Sequence, residues 1–74
     1  MVILKNIEKN NKTISADYYP EGGSEKGFME IDLKDLSVVY HENVSSFAAA
    51  HVRRELRRLS NYDKMPNERT LLWY

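Results

Sequence analysis

Residues 45–60 read SSFAAAHVRRELRRLS, and the fold turns on whether this stretch is a helix. It contains neither glycine nor proline and opens on serines suited to cap a helix N-terminus. It is followed by Asn61, which tolerates the left-handed backbone in which helices commonly end. With Val52 as reference and 100° per residue, Ser45, Ala48, Ala49, Leu56 and Leu59 all fall within about 60° of it. The spacing predicts an amphipathic helix over 45–60 with one apolar stripe. At about 1.5 Å per residue it spans roughly 24 Å, close to the length of a seven-residue strand, so the stripe is suited to cover one face of a sheet.

The residues before it supply that sheet. VILKNIE (2–8) and KTISADYY (12–19) read as two strands, the second with Ile14, Ala16 and Tyr18 on one face and Ser15, Asp17 and Tyr19 on the other. Asn10 and Asn11 between them tolerate the positive φ of a tight hairpin. PEGGSEKG (20–27) is a glycine-rich loop that leads into GFMEIDL (27–33), where Met29, Ile31 and Leu33 alternate with Phe28, Glu30 and Asp32. Lys34 and Asp35 suit a turn into SVVYHE (37–42), rich in β-formers. After the helix, NYDKMPNER (61–69) reads as a loop, and TLLWY (70–74) as a short fifth strand. The expectation is one α+β domain over 1–74: a four-stranded antiparallel meander, one helix packed on its face and a short C-terminal strand, in the order ββββαβ.

The bulk properties agree with a small folded domain. Of 74 residues, 42% are hydrophobic and 30% charged, too apolar for a disordered tail. A single core of this size rarely leaves more than about 3 to 5 kcal/mol of net stability, which makes help from oligomerisation plausible. Zero cysteines exclude disulfides, the usual zinc frameworks and redox chemistry by the protein itself. The apolar run at the start stops at Lys5, too short for a secretory signal or a membrane span, and points to the cytoplasm.

Zero net charge conceals an asymmetry. Residues 1–44 carry five lysines against eight acids, and residues 45–74 carry six cations against three acids. On the helix, Arg54, Arg57 and Arg58 project away from the apolar stripe, with Arg53 and His51 on its flanks and Phe47 and Ala50 also outward. Two readings stand side by side. In the first this is a solvated face: arginine is a good helix former, cations near a helix C-terminus gain about 0.3 to 1 kcal/mol, and Glu55 can pair with His51 or Arg58. In the second it binds a partner, because Arg54 and Arg58 are like charges four apart, and a phenylalanine among arginines is the composition of interface anchors. The candidate partner-binding residues are Phe47, Arg53, Arg54, Arg57 and Arg58.

For that second reading an acidic protein surface is the favoured partner, a second copy's acid-rich sheet included. Nucleic acid is the alternative, since guanidinium groups match phosphate geometry. Neutral overall charge and a pI near 6.7 fall short of the usual nucleic-acid footprint. The sequence implies no enzyme, cofactor or metal. His41 and His51 lie in different predicted elements, no serine sits in a nucleophile elbow, and Glu30 and Asp32 alternate as solubilising acids on a strand face. The double glycine lacks the Gly-Lys-Ser/Thr ending of a phosphate loop. Tyr19 and Phe28, on the polar parity of their strands, resemble base-stacking platforms, but neighbouring acids would repel a phosphate backbone.

The pattern of DYYPEGGSEKGFMEIDL (17–33), HVRREL (51–56) and the terminal WY (73–74) is similar to short bacterial proteins of uncharacterised function. The resemblance spans most of the chain and implies a compact one-domain protein. It carries no catalytic or ligand-binding signature and assigns no residue a role.

Overall fold

The structure, a computed structural model, describes residues 1–72. Five strands and one helix follow the chain: β1 (Val2–Lys9), β2 (Thr13–Pro20), β3 (Gly27–Asp32), β4 (Val38–Glu42), α1 (Ser46–Leu59) and β5 (Glu68–Leu71). The strands form one antiparallel sheet in the order β4-β3-β2-β1-β5. This is the expected α+β fold with the order ββββαβ.

α1 lies across β3, β2 and β1, and the layer between helix and sheet is the core. Ile14, Ala16 and Tyr18 of β2 and Met29 and Ile31 of β3 face inward, as the alternation predicts, and meet Val52, Leu56 and Leu59 from the helical stripe. Each large aliphatic side chain buried this way contributes about 1.5 to 3 kcal/mol before the entropy of ordering it is counted. The Ser45 hydroxyl caps α1 by accepting the Ala48 amide at 3.2 Å. The far end differs from expectation in one respect: Asn61, just past the Ser60 cap, does not take the left-handed backbone, and Ser60 itself is right-handed (φ −61°) with its hydroxyl donating to the Arg57 carbonyl. Lys9, at the end of β1, holds this terminus from the sheet side by donating to the carbonyls of Ser60 (2.9 Å) and Tyr62 (2.8 Å). A cation there also complements the negative end of the helix dipole.

β1 departs from simple alternation. Lys5 pairs with Asp17 and Glu8 with Ser15, so Asn6 and Ile7 together oppose Ala16. Asn6 absorbs this bulge at φ 53°, a conformation asparagine tolerates better than most residues, and its amide donates to Asp17 at 2.8 Å. The extra residue switches parity, so Ile7 turns into the core behind Val2 and Leu4 while Glu8 stays outside. The β1 to β2 turn is likewise built differently from the expected positive-φ hairpin. The Asn10 side chain accepts the amides of Lys12 (2.7 Å) and Thr13 (2.8 Å), an Asx turn in which neither Asn10 nor Asn11 takes positive φ.

β5 begins two residues before the expected strand, inside the stretch expected to be a loop. Its register against β1 explains why. Glu68 opposes Lys5, and their charged ends are 3.8 Å apart on the open side. Arg69 opposes Leu4 and Leu71 opposes Val2, so both face the helix. Leu72 already lies beyond the strand and is exposed. Trp73 and Tyr74, expected to finish this strand, lie outside the described residues.

Candidate interaction surface

The helix delivers the five sequence-selected residues to the outside of the helical layer but splits them between two flanks. Phe47 sits in the first turn, 61% exposed, with its ring edge-on to His51 at 5.0 Å between centroids. Arg54 donates to His51 Nδ1 at 2.9 Å, an arrangement that makes this nitrogen the acceptor, because a guanidinium can only donate. These three groups lean toward β5, where a groove of about 370 Å³ is lined by His51, Arg54, Glu55, Arg69, Leu71 and Leu72 among others. Arg53 leans the other way, into a groove beside β4, and Arg57 reaches the Leu36 carbonyl at 3.3 Å in the β3 to β4 turn.

Arg58 is engaged within the molecule, in the pairing that the first of the two readings allowed. Its Nε and Nη2 donate to the two oxygens of Glu55 at 3.0 and 2.6 Å, a bidentate pair. Its Nη1 donates to the Tyr62 hydroxyl at 3.2 Å, and the guanidinium lies 5.5 Å from that ring's centroid. Arg69 from β5 meets the same carboxylate at 3.1 Å. Glu55 is only 8% exposed; Arg69 ties this carboxylate, and with it the helix, to the sheet edge, while Arg58 braces it along the helix. The hydrogen bond from Arg58, aided by the positive charge of both arginines, holds the Glu55 carboxyl below its ordinary range against the opposing effect of burial. Of the two partners foreseen for Glu55, Arg58 is the one it takes.

The two faces of the molecule carry opposite charge. On α1 and the helix-facing side of β5, Arg53, Arg54, Arg57, Arg58 and Arg69 stand with one carboxylate, Glu55, which is occupied internally. Strand register puts Glu8, Asp17, Glu30, Asp32, Glu42 and Glu68 on the open face with Lys5. Tyr19 and Phe28 lie among them, Tyr19 under Lys5 (5.3 Å to the ring centroid) and Phe28 against Tyr40 (5.8 Å). The asymmetry of charge along the sequence thus becomes an asymmetry across the two layers.

The groups weighed for chemistry have structural partners. Glu30 accepts the Thr13 hydroxyl at 2.7 Å, Asp32 accepts the Lys34 amide in the β3 to β4 turn at 2.6 Å, and His41 Nε2 meets the buried Tyr18 hydroxyl at 2.7 Å. Among the described residues no three His, Asp or Glu side chains gather as a metal site, and no helix is long and apolar enough to cross a membrane. Comparison with protein families, with curated proteins and with solved structures returned no match.

Proposed function

We propose that this chain is a non-catalytic protein-interaction module of the cytoplasm that docks an acidic protein surface on the outer face of α1, through Phe47, Arg53, Arg54, Arg57 and the exposed part of Arg58. One observation carries the reading. Phe47 is 61% exposed and edge-on to His51, on a helix that carries four arginines against one carboxylate, Glu55, itself engaged by Arg58 and Arg69. That excess of positive charge suits an acidic partner, and an aromatic beside arginine is the anchor chemistry of protein interfaces. The acidic open sheet of a second copy is one such surface. Zero net charge and an acid-rich sheet fall short of the electrostatic footprint of a nucleic-acid binder.

The test uses the variant Phe47→Ala, Arg53→Glu, Arg54→Glu, which leaves Arg58 in place because Arg58 holds Glu55. It should melt within a few degrees of the parent yet lose retention on immobilised polyglutamate and, where the second copy is the partner, sediment as a monomer at low salt. Unchanged retention and unchanged sedimentation would remove the proposal. A steeply salt-dependent shift of a labelled DNA duplex, abolished in the same variant, would replace it with nucleic-acid binding.

A further inference from the structure

The two edges of the sheet are unlike one another. β5 has four residues, carries Glu68 and Arg69 and follows Pro66, the devices by which natural sheets discourage added strands. β4 carries Val38, Val39 and Tyr40 in sequence, the last two 57% and 53% exposed. Val39 is an extra residue where the register against β3 shifts, which leaves Tyr40 to Glu42 as the regular part of the edge, and among the described residues β4 pairs with β3 alone. Because α1 covers β3, β2 and β1, the helix side of β4 is left as a groove of about 220 Å³ lined by Met29, Val38, His41, Ala49, Ala50 and Arg53 among others.

Charge differs across this edge. The groove lining holds one guanidinium, Arg53, and no carboxylate. The other side of β4 presents Glu42, opposite Phe28, and Tyr40, opposite Glu30. We propose that β4 receives an extended segment of a partner protein as a sixth strand, with apolar and acidic side chains alternating toward α1 and hydroxyl or basic side chains toward the open face. The edge backbone donors and acceptors of β4 that do not bond β3 or Tyr18 supply affinity, and the two chemically distinct sides select the sequence. A leucine-sized side chain fits among Met29, Ala49 and Ala50, an acid meets Arg53, and a lysine on the reverse meets Glu42 and Glu30.

A second copy matches this edge poorly. The two-fold axis that pairs β4 with itself in antiparallel fashion keeps helix side with helix side, so Arg53 finds no carboxylate in the copy's groove and Glu42 finds no lysine or arginine on the copy's β4. The inference goes beyond the helix-face reading, since Phe47 and Arg54 turn to the other flank and Arg53 alone belongs to both.

The experiment is an amide NMR titration of the full chain with two capped octapeptides of identical composition. One repeats Thr-Leu-Lys-Glu twice, which puts leucine and glutamate on one face of a strand. The other repeats Thr-Leu-Glu-Lys, which separates them. The first should shift amides of residues 38–42 and 49–53 at about 1 mM peptide, and Arg53→Glu should weaken it about two- to fivefold, the range an exposed charge pair supports. N-methylation at alternate residues of that peptide should abolish binding in one phase and spare it in the other, because a strand bonds its neighbour through every second residue. Equal shifts from both peptides, no shift from either, or indifference to N-methylation would overturn the proposal. So would concentration-dependent shifts in β4 without peptide, which would assign the edge to a second copy. Shifts confined to Phe47, His51 and Arg54 would also overturn it while leaving the helix-face reading standing.

Discussion

Replacing Gly27 by alanine probes how tightly the fully buried Tyr18 is held. Gly27 opposes Tyr18 across the β2 and β3 pair. A Cβ at this position would lie 2.6 Å from Tyr18 Cε1 and 2.8 Å from its hydroxyl oxygen, with Cζ closer still. Comfortable carbon contacts begin at about 3.5 Å, so the ring would have to retreat by roughly 1 Å. It has nowhere to go: its hydroxyl sits 2.7 Å from His41 Nε2 and 3.2 Å from the Glu42 carbonyl, and accepts the Val44 amide at 3.4 Å. Overpacking costs about 1 to 3 kcal/mol, and each hydrogen bond broken as the ring shifts adds about 1 kcal/mol. The sum, about 3 kcal/mol, is most of the net stability expected for a domain this small. At about 4 to 8 °C per kcal/mol, thermal unfolding followed by circular dichroism should move down by at least about 10 °C. In a Tyr18→Leu background, where the ring is gone, the same alanine should cost less than about 1 kcal/mol by urea titration, a coupling of about 2 kcal/mol between the two sites. A Gly27→Ala protein melting within about 2 °C of the parent, or an equal cost in both backgrounds, would refute the clash and with it the packing of Tyr18.

Glu55→Gln should lose about 1 to 2 kcal/mol at neutral pH, since it forfeits charge-assisted bonds from two partly exposed arginines. Because the folded carboxyl titrates below its ordinary value, this stability is present above about pH 4.5 and disappears as pH falls through the depressed folded value. Urea titrations of parent and variant should therefore converge in acid. Asn6→Val places a β-branched residue at φ 53° and should cost about 1 to 3 kcal/mol, whereas Asn6→Gly should stay within about 1 kcal/mol of the parent; chemical denaturation separates the two. Lys9→Met removes both bonds to the end of α1 and should cost about 1 to 2 kcal/mol, with faster amide exchange confined first to the last helical turn.

Helix and meander were legible because each obeys one period over its length, and burial enforces that period. Where the structure departs from expectation, a tertiary partner decides. Ile7 breaks the alternation begun by Val2 and Leu4, an anomaly visible in the sequence, yet only pairing with β2 shows that Asn6 resolves it as a bulge. Glu68 and Arg69 look like loop residues until Lys5 and Glu55 stand opposite them, and a local pattern cannot encode partners more than a dozen residues away. Glu55 itself could have been found, because it sits three positions after Val52 and so falls as near the apolar stripe as Ala49 does on the other flank. Its polarity hid a burial that two arginines make tolerable. The outward arginines were placed correctly as a group and the Glu55–Arg58 pair was within reach of helical spacing, but the second hold on Glu55 by Arg69 and the division of Arg53, Arg54 and Arg57 between two flanks depend on β4 and β5, which helical geometry alone does not contain.

The position of β1 between β2 and β5 gives the polypeptide a particular history on the ribosome. Of these five strands β1 is synthesised first and β5 last, so during translation Val2 to Lys5 must wait with bare amides and carbonyls until Glu68 to Leu71 leave the exit tunnel. Joining segments so distant in sequence makes this closure entropically the slowest of the sheet's pairings. The nascent protein accordingly passes through a stage in which four strands and a helix exist while one flank of the sheet lies open, and chaperone capture or premature association would be concentrated at that stage.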